Sequence, residues 1–389
     1  MAGARYTTIV VALVSATMNL SAFRSLLRMI PTASRFTVWL TVLIVQLTFN
    51  TVFADQWLVQ KASPAFNFSH TVPAKVSVLK RASSRWKLCV LYPHLKDSYW
   101  LSVNYGMVDQ AKKLGVQLKV MAADGYNSAG QQRNQLQSCR NWQADAILLG
   151  SVGYDLLNQS VEQTASSTPV FGLVNNLSPK GVSGKVGVDW YQMGFRIGQH
   201  LSNKHPRGSK PATVAWFSSP TGRGGSDVSL KGLRAGLEGS SVVIVSESWG
   251  DNDSAIKRDL IQKTLDQHPQ LDYLVGGAVM AEVAIPELIR RKLTGRTQVI
   301  STYMSHSVYR GLLRHRILLA NDDNMVLQGR LSVDQAIKFL EKKPWFQDLG
   351  PDIRTLSSDS LPDDLASSLS PASWRPVYDV SQKTVSVNR

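Results

Sequence analysis

Two large aromatic residues, Tyr99 and Trp100, begin a predicted helix directly after a buried strand. Corners of this kind usually hold small polar residues, so two adjacent rings at this place indicate a function. Three further aromatic residues, Tyr126, Trp190 and Tyr303, follow predicted strands in the same way. Ligands of open parallel sheets bind beyond the carboxyl ends of the strands, and aromatic faces attract cations. The five rings therefore predict an aromatic cage for a small, cation-like ligand.

Three polar residues, Asp97, Asn175 and Asp189, stand near predicted strand ends as well. We regard them as candidates for secondary ligand contacts, because a carboxylate near the cage would attract a positive group. Asp97 also suits the N-cap of the helix that begins with Tyr99 and Trp100.

The elements that must position these residues alternate between short apolar strands and amphipathic helices. The predicted strands are 87–92, 117–122, 146–149, 170–174, 185–188, 213–217, 242–246, 272–276, 298–303 and 317–320. The predicted helices are 98–114, 130–142, 156–165, 191–202, 225–237, 254–267, 281–293, 305–314 and 326–341. This alternation is typical of α/β folds in which helices cover both faces of a parallel sheet. Two consecutive series predict two doubly wound lobes with a ligand cleft between them.

The composition is that of a globular protein with a basic balance. The chain has 389 residues, which is too long for one ordinary core and suits two domains. The formal net charge is +15, from 43 Lys+Arg against 28 Asp+Glu. The basic residues are scattered and form no helix-turn-helix or RNA-binding signature. Solvated basic faces are therefore favoured over a nucleic-acid site.

The first 54 residues have the pattern of an export signal. Residues 36–49 (FTVWLTVLIVQLTF) are apolar and uncharged, Arg35 precedes them, and VFA at 52–54 resembles a cleavage site. We expect cleavage after Ala54 and no membrane span after processing. An uncleaved anchor is the alternative, although the run is short for a span. A start at Met29 would give a signal of ordinary length.

Two cysteines, Cys89 and Cys139, fall in the first predicted strand and the second predicted helix. An even number of cysteines in an exported protein favours a disulfide. Two buried free thiols are the alternative.

Several long runs resemble the type I periplasmic binding proteins, the ribose-binding and LacI-like group, and in particular its trimethylamine N-oxide sensors. The runs are RWKLCVLYPHLKDSYWLSVNYGM at 85–107, DAILLG at 145–150, GVDWYQMG at 187–194, GDND at 250–253, YMSHSVYRG at 303–311 and the late SPASWRPVY. The resemblance covers roughly residues 85–380 and does not include residues 1–54.

The resemblance implies a periplasmic sensor without enzymatic activity, catalytic residues, metal or cofactor. Such sensors bind trimethylamine N-oxide between their lobes and associate with the periplasmic domain of a sensor histidine kinase. The aromatic pocket of these sensors corresponds to the five rings chosen above. The negative oxygen of this ligand needs hydrogen-bond donors, for which tyrosine hydroxyls or the indole N–H of Trp190 are candidates.

The resemblance also implies three hinge crossovers, which we expect near Val188, Tyr303 and Asn321. The first lobe is then 86–187 plus about 304–321, and the second is 188–303 plus about 322–345. Residues 55–85 are predicted to be irregular. Residues 346–389 are predicted to form an extended tail, whose path nothing local determines.

Other function classes have weaker support. A substrate-binding protein of an ABC-type uptake transporter, for a sugar or a quaternary amine, would have the same fold. An enzyme is disfavoured because HExxH, GxSxG and P-loop patterns are absent from the sequence. The segment GRGGSDV at 222–228 lacks the GxGxxG spacing and is interpreted as a loop that opens a helix. A LacI-like repressor would need a DNA-binding domain where the export signal stands.

Overall fold

The computed structural model describes residues 56–381. The predicted signal peptide, its cleavage after Ala54 and the start at Met29 lie outside the described residues. Within 56–381, none of the helices has the length and apolar character that crossing a membrane requires.

The first lobe is built on a sheet that is parallel in its centre and carries antiparallel strands near both edges. Its described strands, in spatial order, are β15 (Asp379–Val380), β4 (Gln117–Ala122), β3 (Lys87–Tyr92), β5 (Ala146–Leu149), β6 (Val170–Val174), β7 (Val182–Gly187), β13 (Asp348–Gly350), β1 (Gln56–Ala62) and β2 (Thr71–Ser77). Its helices are α1 (Ser98–Leu114), α2 (Ala129–Asn141), α3 (Asn158–Ala165) and α9 (Met325–Leu340). Strands β5 and β6 are buried along their whole length, because helices cover both faces of the sheet.

The second lobe repeats this architecture with a sheet whose strands are parallel except at one edge. Its described strands, in spatial order, are β14 (Arg354–Ser357), β12 (Leu319–Asp322), β11 (Gln298–Ser301), β10 (Tyr273–Gly276), β8 (Ala212–Ser218) and β9 (Val242–Trp249). Its helices are α4 (Trp190–Lys204), α5 (Ser226–Leu237), α6 (Ser254–Gln267), α7 (Ala278–Arg290) and α8 (His306–Leu313). The predicted two-lobe α/β fold is confirmed.

Helix α1, which carries the first two rings of the predicted cage, is held at both ends and along its length. The Asp97 carboxylate accepts a hydrogen bond from the backbone N–H of Trp100 at 3.1 Å, and Gly115 ends the helix with a positive φ of 76°. Glycines allow α1 and α9 to pack closely. A Cβ on Gly106 would lie 2.0 Å from the carbonyl oxygen of Val326. These contacts define where the first turn of α1 lies.

The predicted disulfide is confirmed. Cys89 in β3 and Cys139 in α2 are bonded, with 5.7 Å between their Cα atoms. Both residues are fully buried in a cluster that joins the sheet to the helices on one face.

The predicted lobe boundary is wrong beyond residue 303. Residues 304–321 were expected in the first lobe, yet β12 pairs in parallel with β11 of the second sheet. Residues 322–345 were expected in the second lobe, yet they carry α9, which packs on α1. The second sheet simply continues for one more strand before the chain crosses. The prediction of a hinge near Tyr303 is therefore wrong.

The chain crosses between the sheets after β7, after β12, between β13 and β14, and again before β15. The first two crossings lie beside the predicted hinges at Val188 and Asn321. Residues 55–85 are not wholly irregular, because 56–62 and 71–77 form β1 and β2. The predicted tail supplies one strand to the first sheet, one to the second and one more to the first. These strands have only two to four residues, and pairing with distant strands, rather than a local pattern, defines them.

Candidate ligand-binding cleft

The five predicted aromatic residues line one cavity between the carboxyl ends of the strands of both sheets. They are Tyr99, Trp100, Tyr126, Trp190 and Tyr303. The cavity has a volume of about 40 Å³, which is room for about three water molecules at roughly 10–15 Å³ each. A sugar ring would require the lobes to open further.

Edge-to-face contacts between the rings connect the two lobes. The ring centroids of Tyr99 and Tyr303 are 5.0 Å apart at an angle of 73°, and those of Trp190 and Tyr303 are 6.4 Å apart at 84°. Tyr99 also contacts Trp100 with 5.8 Å between centroids. Tyr99 belongs to the first lobe and Tyr303 to the second, so the ring cluster depends on the closed arrangement of the lobes.

Trp190 is held on two sides. Its indole N–H donates to the carbonyl oxygen of Val174 at 3.2 Å. Its ring packs directly on Gly225, where a Cβ would lie 2.1 Å from Cδ2 of the indole. The prediction that this N–H could serve the ligand is therefore wrong, because the protein itself uses it.

The tyrosine hydroxyls of the cavity differ in whether their proton is available for a hydrogen bond to a ligand. The Tyr99 hydroxyl donates to Oδ2 of Asp323 at 2.6 Å. The Tyr126 and Tyr303 hydroxyls accept hydrogen bonds from the amides of Asn175 and Asn252, at 3.5 and 3.3 Å. Their own protons therefore remain free to donate. Burial raises the pKa of both hydroxyls above the ordinary value, so both stay protonated.

The three candidates for secondary ligand contacts differ in whether they line the cavity. Asp97 and Asn175 line the cavity, and Asn175 is anchored by donating to the carbonyl oxygen of Ser151 at 2.8 Å. Asp189 instead caps α4 by accepting from the backbone N–H groups of Tyr191 and Gln192, and it is not part of the cavity wall. Burial raises the pKa of Asp189, and the two capping hydrogen bonds oppose this shift.

Sequence reasoning missed most of the wall that the second lobe supplies. The missed residues are Trp216, Phe217, Ser218, Ser219, Gly224, Gly225, Ser226, Ser229, Asn252, Gly277 and Thr302. A signal for some of them was available, since Ser218 ends β8, Asn252 follows β9 and Thr302 follows β11. The glycine segment at 222–228, interpreted only as a loop before a helix, also contributes to this wall.

The charge of the wall is negative rather than positive. Among the residues that the structure describes, Asp97 is the carboxylate in the wall, and neither Lys nor Arg lines it. The buried Lys257 lies behind the wall and donates to the carbonyl oxygens of Ser218 and Gly250, at 2.6 and 3.1 Å. Burial lowers the pKa of Lys257 to about 8. This lysine joins the ends of β8 and β9 where they meet the cavity.

Two buried donors in the wall are unpaired within residues 56–381. They are Nε1 of Trp216 and Oγ of Ser229. In the same part of the chain, no group of three or more His, Cys, Asp or Glu side chains is arranged to hold a metal ion.

Residues 85–342 match the family described as periplasmic binding proteins and the sugar binding domain of the LacI family. The chain belongs to this family. Among its relatives, the periplasmic protein TorT of Escherichia coli K12 is 42% identical over 300 residues, which is 77% of this chain and 86% of the relative.

Solved structures agree with this relationship. The TorS sensor domain–TorT complex without ligand matches with 43% identity and a TM-score of 0.70, over 75% of this chain and 100% of the matched chain. The same complex in the presence of trimethylamine N-oxide (TMAO) matches with 42% identity, a TM-score of 0.70, and 75% and 99% coverage. An ABC transporter solute binding protein from Bradyrhizobium with bound bis-tris is 34% identical, with a TM-score of 0.70 over 83% of this chain and 98% of its own.

Proposed function

We propose that this protein is a periplasmic sensor that binds trimethylamine N-oxide in the aromatic cavity between its lobes. It signals to the periplasmic sensor domain of a TorS-like histidine kinase, which induces the trimethylamine N-oxide reductase system. The observation that carries the proposal is the convergence of five aromatic residues on one small cavity, combined with 42% identity to TorT. The activity is binding and not catalysis.

The chemistry of the cavity suits this ligand. Trimethylamine N-oxide has a positive nitrogen covered by methyl groups and a compact negative oxygen. Each ring face contributes about 0.5–2 kcal/mol to binding a cation, and the carboxylate of Asp97 adds attraction for the positive end. The oxygen accepts hydrogen bonds from the free hydroxyl protons of Tyr126 and Tyr303. One wall thus serves both ends of the molecule.

Signalling follows from the two lobes. A ligand that contacts Tyr99 of one lobe and Tyr303 of the other stabilises the closed arrangement by its higher affinity for that state. A kinase domain that also prefers one arrangement is coupled to the ligand, and the coupling is reciprocal. We therefore expect the kinase domain to change the affinity for trimethylamine N-oxide.

An uptake function for a quaternary amine is the second candidate, and the 34% identity to the Bradyrhizobium solute binding protein favours it. Bis-tris is itself a tertiary amine, so amine recognition would be common to both functions. A sugar is disfavoured by the volume of about 40 Å³.

The proposal is tested by calorimetric titration of the exported protein with trimethylamine N-oxide, with and without the kinase sensor domain. Tyr126→Phe removes one donor to the oxide and is expected to weaken binding about tenfold, because such a hydrogen bond contributes roughly 1–1.5 kcal/mol. Tyr105→Phe is the matched control, since Tyr105 lies outside this cavity.

Binding that changes when the kinase domain is added supports a coupled sensor. An affinity for trimethylamine N-oxide that does not change when the kinase domain is added supports an uptake function. If folded protein binds no trimethylamine N-oxide in either condition, the proposed ligand is wrong.

A further inference from the structure

A buried carboxylate stands directly behind the cage. Asp323 is fully buried at the crossing from β12 to α9, and it does not line the cavity. Its Oδ2 accepts a hydrogen bond from the Tyr99 hydroxyl at 2.6 Å and another from Nε2 of Gln328 at 2.9 Å. Its Oδ1 has no hydrogen-bond partner within residues 56–381. The proposed sensor function gives this carboxylate no role.

The neighbouring carboxylate is compensated, whereas Asp323 is not. Oδ2 of Asp322 forms an ion pair with Arg354 at 2.7 Å and accepts from Oγ of Ser368 at 2.9 Å. Asp323 has neutral partners, Tyr99 from α1 and Gln328 from α9. A buried charge without a counter-ion acts strongly on its surroundings because the local dielectric constant is low. Tyr99 contacts that carboxylate through its hydroxyl and lines the cavity with its ring.

We propose that Asp323 is a positioning and specificity residue that makes the ring of Tyr99 select a positively charged ligand. A tyrosine that donates to an ionised carboxylate has a more electron-rich ring than one that donates to a neutral acid. The electron-rich ring binds a methylated cation more tightly. The inference rests on the proposed function, because it assumes that the cavity binds such a ligand.

The protonation state of Asp323 therefore controls affinity. Burial raises the pKa of Asp323 to about 7, the hydrogen bond from Tyr99 opposes the shift, and the charge of Asp322 adds to it. The other charged or titratable groups that face this site are Arg354, which neutralises Asp322, and, from the cavity side, the hydroxyls of Tyr303 and Tyr126 and the carboxylate of Asp97. Ligand binding should weaken as the pH falls through this range, because protonation removes the charge.

The test is calorimetric titration with tetramethylammonium, whose charge does not change with pH, and with tert-butanol as a neutral ligand of similar shape. For wild type we expect the affinity for tetramethylammonium to be about three- to tenfold weaker at about pH 6 than at about pH 8.5. Asp323→Asn keeps the shape and should show the weaker affinity at every pH. The affinity for tert-butanol should not change in either protein.

Two further variants separate electrostatics from structure. Tyr99→Phe removes the hydroxyl that links ring and carboxylate, so adding Asp323→Asn to it should have no further effect on affinity. Asp109→Asn is the matched control, because Asp109 pairs with Lys113 and Arg330 outside the cavity. It should keep the wild-type pH profile.

The outcomes distinguish this inference from the proposed function. Wild type that binds no methylated ammonium compound overturns both. Wild type that binds with a flat pH profile overturns the role of Asp323 alone, and this measurement needs no variant to fold. A pH profile that persists in Asp323→Asn would belong to another group and would also overturn it.

Discussion

Gly225→Ala tests the position of the Trp190 ring in the cage while leaving Trp190 itself unsubstituted. The new Cβ would lie 2.1 Å from Cδ2 and 2.2 Å from Cγ of Trp190, so the indole has to move by about 1.5 Å to reach an ordinary contact distance. The backbone of Gly225, with φ −125° and ψ 12°, is open to alanine, so backbone strain does not contribute. The substitution therefore acts through the displaced ring.

The expected cost follows from what the ring contributes. Losing one cation–π contact costs about 0.5–2 kcal/mol, which corresponds to an affinity for trimethylamine N-oxide about two- to thirtyfold weaker. The assay is calorimetric titration at constant pH. Gly130→Ala is the matched control, because a Cβ there meets only Arg133, at 3.9 Å, and it should bind as wild type does.

A double-mutant cycle shows whether the effect passes through the ring. In a Trp190→Ala background, Gly225→Ala should have no further effect on affinity, because the ring that it displaces is gone. Wild-type affinity for Gly225→Ala would refute the reasoning. An equal loss in both backgrounds would refute it as well, since the glycine would then act on the ligand by another route.

Three further predictions concern stability. Replacing both Cys89 and Cys139 with alanine should lower the free energy of unfolding in urea by about 4 kcal/mol, because the disulfide closes a loop of 50 residues; a loss below about 1 kcal/mol would contradict this. Asp189→Ala removes the cap of α4 and should cost about 0.5–2 kcal/mol of stability with little change in affinity, whereas a loss of binding as large as that of Tyr126→Phe would return Asp189 to the ligand set. Burial raises the folded-state pKa of Asp323 to about 7, so the folded state keeps a proton that the unfolded chain releases from about pH 4. Relative to Asp323→Asn, wild type should therefore lose about 4 kcal/mol of unfolding free energy as the pH rises from about 4 to about 7, and a difference that is constant with pH would show that the group does not titrate there.

Much of the architecture could be predicted because its signals are local. The buried strands and their helices recur with a clear period, and the cap of α1 at Asp97 and its stop at Gly115 are local as well. The five rings could be found for the same reason, since a large aromatic residue just after a strand stands out against the small polar residues usual there.

The parts of the fold and of the site that could not be predicted depend on contacts between residues that are distant in the sequence. Nothing near β13 or β14 shows that one strand pairs with β7 and the other with β12. The lobe boundary was wrong because an additional parallel strand looks the same in either sheet. Asp323 could not be found from the sequence, since its partner Tyr99 is 224 positions away.

The most direct test of the central claim is a crystal structure of this protein with trimethylamine N-oxide at saturating concentration. We expect the methyl groups to contact the rings of Trp100 and Trp190 at about 4 Å and the oxygen to accept from the hydroxyl of Tyr126 or Tyr303. A ligand found outside this cavity, or a cavity that holds only water at saturation, would contradict the account.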